Sequence, residues 1–442
     1  MIHMKRNTFR PALAAAAFLS VASLVIWVTG CGGEGQRMEK GLGSSRLQPT
    51  PQAVAQATRN LTEGRAPQVT NAVGGAGFRL FQEVVKANPN RNVFLSPASV
   101  TLALAMTYNG AAGETRASMA KALGIDGLDL AQANAAYRDL QTVLRSPDKG
   151  VTLDIQNAVW AHRETTFQRD FLARNEQFFG ATARTVDFKN QAEAAQIIND
   201  WVKQATRERI PKLADQFDAD ARMVLANAVY FLGLWKEPFQ PDATVESDFT
   251  KFDGKTQKVP LMTREGDFLY QQGNNFQAVR IPYGETGRTH MTVFLPRPGL
   301  AMGEFLKTVN ARNWSEWSRA FRMRPGTVQI PRFRAEFSTI LNEPLKAMGM
   351  GPAFDPNRAD FSGMTGQRDL FIGQVIHKTF VEVKEEGTEA AAVTGVEMRA
   401  TAAPMEPEER FRFRADRPFV YAIEDSQTGV ILFLGVFGDP GA

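Results

Sequence analysis

Apolar positions recur along this chain at two different periods, and the change of period marks out its elements. Phe78, Leu80, Phe81, Val84 and Val85 cluster on one helical face between Phe78 and Lys86 and predict an amphipathic helix. Ser96-Pro97-Ala98-Ser99 has the form of a cap opening an apolar helix that runs through Tyr108 and ends at Gly110. Another helix is predicted from Thr115 to Leu123, closed by Gly124, with further helices at 131–144, 168–178 and 191–206. Strand-like segments follow at Asp154 to Ala161, Met223 to Leu232, Phe276 to Ile281, Met291 to Leu295, Thr327 to Phe333, Val375 to Val383, Phe419 to Glu424 and Val430 to Phe437. Leu225 to Phe231 is almost unbroken in apolar residues, as in a central strand covered on both faces, with Asn227 as its polar exception. Helices early and antiparallel-looking strands late predict an α+β domain built on large sheets.

One stretch changes character midway. Val381 and Val383 alternate with Glu382 and Lys384 as in a half-buried strand. From Thr388 the chain turns to short side chains, Glu389, Ala390, Ala391, Ala392, Val393, Thr394 and Gly395. By composition this is a flexible linker. It also suits a strand in waiting, because small residues without Pro can enter a sheet without overpacking the layer beneath.

The N-terminal end reads as an address. Lys5, Arg6 and Arg10 precede an apolar run from Pro11 to Val28, followed by Thr29-Gly30-Cys31, the order of a secretory signal. The ending resembles the lipobox of bacterial lipoproteins, which makes Cys31, the only cysteine, the expected lipid attachment point. The competing reading is an uncleaved membrane anchor, since the run is just long enough to span a bilayer. Either way the remainder lies outside the cytoplasm, and Gly32 after the cysteine favours an outer-membrane or cell-surface address. Residues 31–71 are rich in Gly, Gln, Ser, Thr and Pro and read as a tether that cannot offset its own ordering entropy. That leaves one domain over 72–442, entered through a short hinge at Gly74-Gly75-Ala76-Gly77.

Charge and chemistry exclude more than they assign. The first 30 residues carry three basic and no acidic side chains, so the formal charge of +4 in the full chain comes mainly from the leader. No basic patch with interleaved aromatics points to nucleic acid. Histidine occurs only at His3, His162, His290 and His377, and no HExxH, paired CxxC, GxSxG or GxxxxGK[ST] motif is present. No catalytic residue, metal ligand or cofactor site is therefore assigned. A serine hydrolase built around His290 or His377 is the enzyme reading left open.

Four segments in order resemble one family. Asn92 to Ser99 with Gly110 to Thr115, Asn227 to Trp235 with Pro238-Phe239, Glu385 to Ala392, and Phe413 to Phe419 with Gly429 to Gly435 are similar to the signatures of the serpins. The resemblance implies three β-sheets, about nine helices and a reactive loop, here about 385–412, exposed at one pole. It implies a protease inhibitor that is not an enzyme: the target cleaves the loop, is held as an acyl-enzyme, and is trapped when the loop inserts into the central sheet. Strand insertion of this kind is a known form of β-strand addition.

Carried over by position, the hinge comprises Glu385, Gly387, Thr388, Glu389, Ala390, Ala391, Ala392 and Val393, with Thr388 entering first. Ser96, Ser99, Asn227 and His377 would form a polar cluster beneath the opening, and Trp235 would pack near the entry point. Fourteen residues beyond Gly387 place the cut at Thr401-Ala402, with Met398, Arg399 and Ala400 as alternatives. Thr401 or Ala400 suits an elastase- or subtilisin-like protease, Met398 a chymotrypsin-like one and Arg399 a trypsin-like one. A monomer tethered by lipid to a bacterial membrane is expected; the alternative is a non-inhibitory serpin-fold binding protein on the cell surface.

Overall fold

A computed structural model describes residues 49–63, 67–181, 183–388 and 409–441. The expected leader, Cys31, the hinge residues Glu389, Ala390, Ala391, Ala392 and Val393, and the cleavage candidates Met398, Arg399, Ala400, Thr401 and Ala402 lie outside the described residues.

Helices dominate the first half: α1 Pro51–Thr62, α2 Pro67–Ala87, α3 Pro97–Tyr108, α4 Gly113–Leu123, α5 Leu130–Leu144, α6 Arg169–Phe179 and α7 Gln191–Ala205. Every residue of α3 is buried, so it is a central helix with no solvent face. Ser96 does not cap it: the Oγ donates instead to the carbonyl of Leu432, 2.8 Å away.

The strands are β1 Val93–Leu95, β2 Val151–His162, β3 Ala183–Val186, β4 Met223–Leu234, β5 Val245–Thr250, β6 Thr256–Gln272, β7 Phe276–Tyr283, β8 Thr289–Pro296, β9 Arg322–Pro331, β10 Phe333–Ile340, β11 Gln374–Val383, β12 Gly387–Thr388, β13 Phe411–Arg414, β14 Phe419–Asp425 and β15 Val430–Phe437. One sheet runs β1-β15-β14-β8-β7-β6-β9-β13, with β5 also on β6; the other runs β10-β11-β12-β4-β2-β3. Two of the three expected sheets are thus fused through β6, whose 17 residues pair with β5 at one end and β7 at the other. The alternation within β6 is masked by Gly266 and by runs of polar residues, which is why the strand was not anticipated.

Two expectations at the N-terminal side are corrected. The tether proposed for 31–71 includes α1, because Val54, Ala57, Thr58 and Leu61 repeat at helical spacing, Thr50 caps the start and Pro51 occupies the first turn. Ala57 and Leu61 are buried, and Asn60 Nδ2 donates to Asp139 Oδ2 of α5 at 2.7 Å. The glycine run 74–77 is not a hinge but lies inside α2. At Gly77 a Cβ would sit 2.6 Å from Cβ of Pro97, so the missing side chain lets α2 press against the start of α3.

The predicted strand from Thr327 to Phe333 is also two strands in two sheets, β9 and β10, separated at Arg332. A charged residue in an apolar run marks the crossing.

Candidate functional site

The six-stranded sheet is incomplete along one seam. Strands β4 and β11 lie parallel and pair directly from Gln374↔Val224 to Lys378↔Ala228. Beyond that point Thr379 to Glu382 have no partner on β4 among the described residues, although β10 covers their other edge throughout. At the far end the chain turns back at Glu385-Glu386, closed by Lys384 N–H to Gly387 O at 2.8 Å, and enters the seam from above. Thr388 then pairs with Val383 of β11 on one side and Gly233 of β4 on the other.

Gly387 is demanded by this entry. Its φ is +150°, and a Cβ would lie 2.1 Å from the carbonyl oxygen of Gly233. The first residue expected to enter the sheet is therefore already inside it, and Thr388 is fully buried.

Glu385 anchors the turn. The carboxylate accepts from Arg332 through Nη2 at 2.5 Å and Nε at 3.1 Å, and from Thr244 Oγ1 at 2.7 Å. Burial pushes this carboxyl up, but the Arg332 and Thr244 hydrogen bonds together outweigh it and hold the group below its ordinary value. Trp235 lies at the same turn: its indole N–H donates to Lys384 O at 2.9 Å and its backbone N–H to Glu386 O at 2.9 Å.

Ser96, Ser99, Asn227 and His377 come together lower on the seam, where β4 and β11 still touch. His377 Nε2 accepts from the backbone N–H of Ser96 at 3.0 Å, so the proton must be on Nδ1, which donates to Asn227 Oδ1 at 2.6 Å. Asn227 Nδ2 donates to Ser99 Oγ and, at 2.5 Å, to Asn157 Oδ1 of β2. Burial depresses the imidazole to about 3, so it is neutral under ordinary conditions. The bond between His377 and Asn227 ties the two strands that an inserted strand would have to separate.

Sequence reasoning missed Asn157, Thr244, Tyr283 and Arg332 at this site. Each comes from a different strand or loop, and only Arg332, a charge between two apolar strands, left a trace in the pattern.

The Serpin family model, for serine protease inhibitors, matches residues 71–440. The chain belongs to the serpins. It is 35% identical over 430 residues to an uncharacterized serpin-like protein of Thermococcus kodakarensis, covering 96% of this chain and 98% of that one. It is 33% identical to human leukocyte elastase inhibitor, covering 84% of this chain and 100% of the relative. Among solved structures it resembles the thermophilic serpin tengpin in its native state, with a TM-score of 0.77, 30% identity and coverage of 84% of this chain and 94% of that one. Human thyroxine-binding globulin superposes with a TM-score of 0.79 at 26% identity, covering 86% and 100%. Serpins as a family inhibit proteases and do not catalyse a reaction of their own. The match begins at residue 71, so α1 stands outside it.

Proposed function

We propose that this serpin inhibits a serine protease of the elastase or subtilisin type as a suicide substrate. The observation that carries the reading is the seeded seam: Gly387 and Thr388 occupy the top of a gap between β4 and β11 along which the strands are not paired. The protease serine Oγ attacks the carbonyl of Thr401, the Thr401-Ala402 bond breaks, and the amine of Ala402 leaves with the proton. The loop, now an ester on the enzyme, continues from Thr388 into the seam. Fourteen residues at about 3.3 Å each give a strand of about 46 Å, enough to carry the bound enzyme the length of the sheet. Each inserted residue gains ladder hydrogen bonds to strands on both sides, so cleavage releases strain that the native state holds.

Incubation with elastase should give a complex that survives SDS, and cleavage of the loop should raise the melting temperature. A cleaved protein with unchanged melting temperature, and no complex with proteases of any of the four candidate specificities, would point instead to a surface binding protein. Mass spectrometry of the released C-terminal fragment identifies the bond and decides among Met398, Arg399, Ala400 and Thr401.

We also propose that Cys31 carries lipid and tethers the inhibitor outside the cytoplasm. The parent protein should take up a labelled fatty acid and begin at Cys31 by mass spectrometry, and Cys31→Ser should abolish the label; an unlabelled parent that retains residues 1–30 would favour an uncleaved anchor.

A further inference from the structure

The seam is seeded by a contact that comes from the other sheet. Tyr283, the last residue of β7, reaches across so that its phenol oxygen lies 2.6 Å from Oγ1 of Thr388. Both residues are fully buried, and among the described residues the threonine side chain has no other hydrogen-bond partner. The ring is held on two sides. It stacks on Trp235 with centroids 4.2 Å apart and planes 9° from parallel, and it meets Phe231 edge-on at 5.4 Å. Space for it is made at Gly233, the residue opposite Thr388 in the ladder, where a Cβ would come within 2.8 Å of Tyr283.

We propose that Tyr283 is a positioning residue that sets the register of the inserting strand by binding the hydroxyl of Thr388. This rests on the insertion reading above. Side chains alternate faces at a period of two, so a strand that starts with Thr388 toward Tyr283 places Ala390, Ala392 and Thr394 on the same inner face and Glu389 on the outer one. A slip of one residue turns Glu389 inward against a stack of aromatic rings, where an unpaired carboxylate is strongly disfavoured. The apolar rings around Tyr283 disfavour that register, because one phenol donor does not offset the burial of a carboxylate charge, whereas it fully satisfies a threonine hydroxyl. A well-placed start matters because insertion competes with hydrolysis of the acyl-enzyme. Any delay in the first step lets the protease escape.

The tests are Tyr283→Phe, which keeps the ring and removes the hydroxyl, Thr388→Val, which removes its partner, and Thr388→Ser, which restores a hydroxyl. Both deletions should leave kcat/KM for cleavage of the loop unchanged while raising the ratio of hydrolysis to trapping, which is the moles of inhibitor consumed per mole of protease minus one, about fivefold, the factor that one lost hydrogen bond of about 1 kcal/mol supplies. The double variant should be no worse than either single one, and Thr388→Ser should stay within twofold of the parent. Hydrogen exchange needs no protease: amide protection over 383–388 should fall about fivefold in Tyr283→Phe. Unchanged protection with an unchanged ratio, or additive effects in the double variant, would overturn the proposal. If the parent forms no complex yet protection falls in both deletions, insertion as an inhibitory mechanism fails while the anchoring of Thr388 by Tyr283 stands.

Discussion

The nine-stranded and six-stranded sheets use the same residues differently. In the nine-stranded sheet β14 and β15 are buried at every position and pair across their length, with a single irregularity at Ile423/Glu424. In the six-stranded sheet β4 is just as apolar, yet it parts from β11 after Ala228 and meets Thr388 only at Gly233. One sheet is finished and the other is held open, with a polar lock at its lower end and a docked threonine at its upper end. Burial alone therefore does not separate a static sheet from a movable one. What separates them is where the strand edges go unpaired and which side chains hold them there.

The largest expected effect comes from blocking the upper end. Thr388→Arg puts a cation into a fully buried position facing Tyr283, and burying an unpaired charge is far costlier than losing any single contact. The hinge should be expelled and the inhibitor should become a substrate, seen on SDS gels as cleaved chain with no complex. Retained complex formation at parental stoichiometry would break the claim that the seam is the path of insertion. A matched change in the finished sheet sharpens the contrast. Leu434→Ala in β15 should cost about 3 kcal/mol in the native and the cleaved forms alike, with no change in the stoichiometry of inhibition.

The lower end should respond differently again. Asn227→Ala leaves the Nδ1–H of the fully buried His377 without its partner, which costs roughly 1–3 kcal/mol, while the half-buried amide of Asn157 adds less. That cost falls on the native form. If the loop inserts as proposed, β4 and β11 cease to be adjacent, and the bond between His377 and Asn227 is lost from the cleaved form in any case. Thermal melts of both forms should show the native one weakened and the cleaved one much less affected.

Acid tests the same lock without mutation. His377 is held at about 3 by burial, below its ordinary value of 6.5, so the unfolded chain binds the extra proton first. Stability of the native form should be lost progressively as pH falls from about 6.5 towards about 3. Glu385, also held below its ordinary value, contributes stability present above the ordinary carboxylate range, and that contribution falls away only at more acidic pH. In the Asn227→Ala variant the loss between pH 6.5 and 3 should change in size or position, whereas in Leu434→Ala it should match the parent.

Much of this was legible in the sequence, for identifiable reasons. The central strand Leu225 to Phe231 and its one polar residue were visible because a buried strand is apolar throughout. Gly387 and Thr388 stood out only through the resemblance of Glu385 to Ala392 to the serpin hinge, because composition alone reads as a linker there. The ring under the hinge was not legible: Tyr283 is one of six tyrosines, and only the approach of β7 to Trp235 reveals what its hydroxyl does. Nor was the pairing of Glu385 with Arg332, since 53 residues separate them and neither position shows periodicity toward the other. Local pattern reports which face is buried. It does not report which polar groups meet across two sheets.

The smallest predicted effect concerns α1, which composition concealed. The helix holds few large apolar residues, but Leu61 and Ala57 are buried and Gln427 Nε2 donates to Thr58 Oγ1 at 3.1 Å, tying α1 to the turn between β14 and β15. Its contacts therefore reach the finished sheet, α5 and α2. Leu61→Ala should lower stability by about 2 kcal/mol, the low end for a buried leucine, because a helix at the edge of the structure relaxes into part of the space vacated. If α1 belongs only to the static side of the molecule, that loss will be equal in the native and cleaved forms and the stoichiometry of inhibition will not move. A loss confined to the native form would mean that α1 helps to hold the seam open, and the division drawn between the two sheets would have to extend to the helices that cover them.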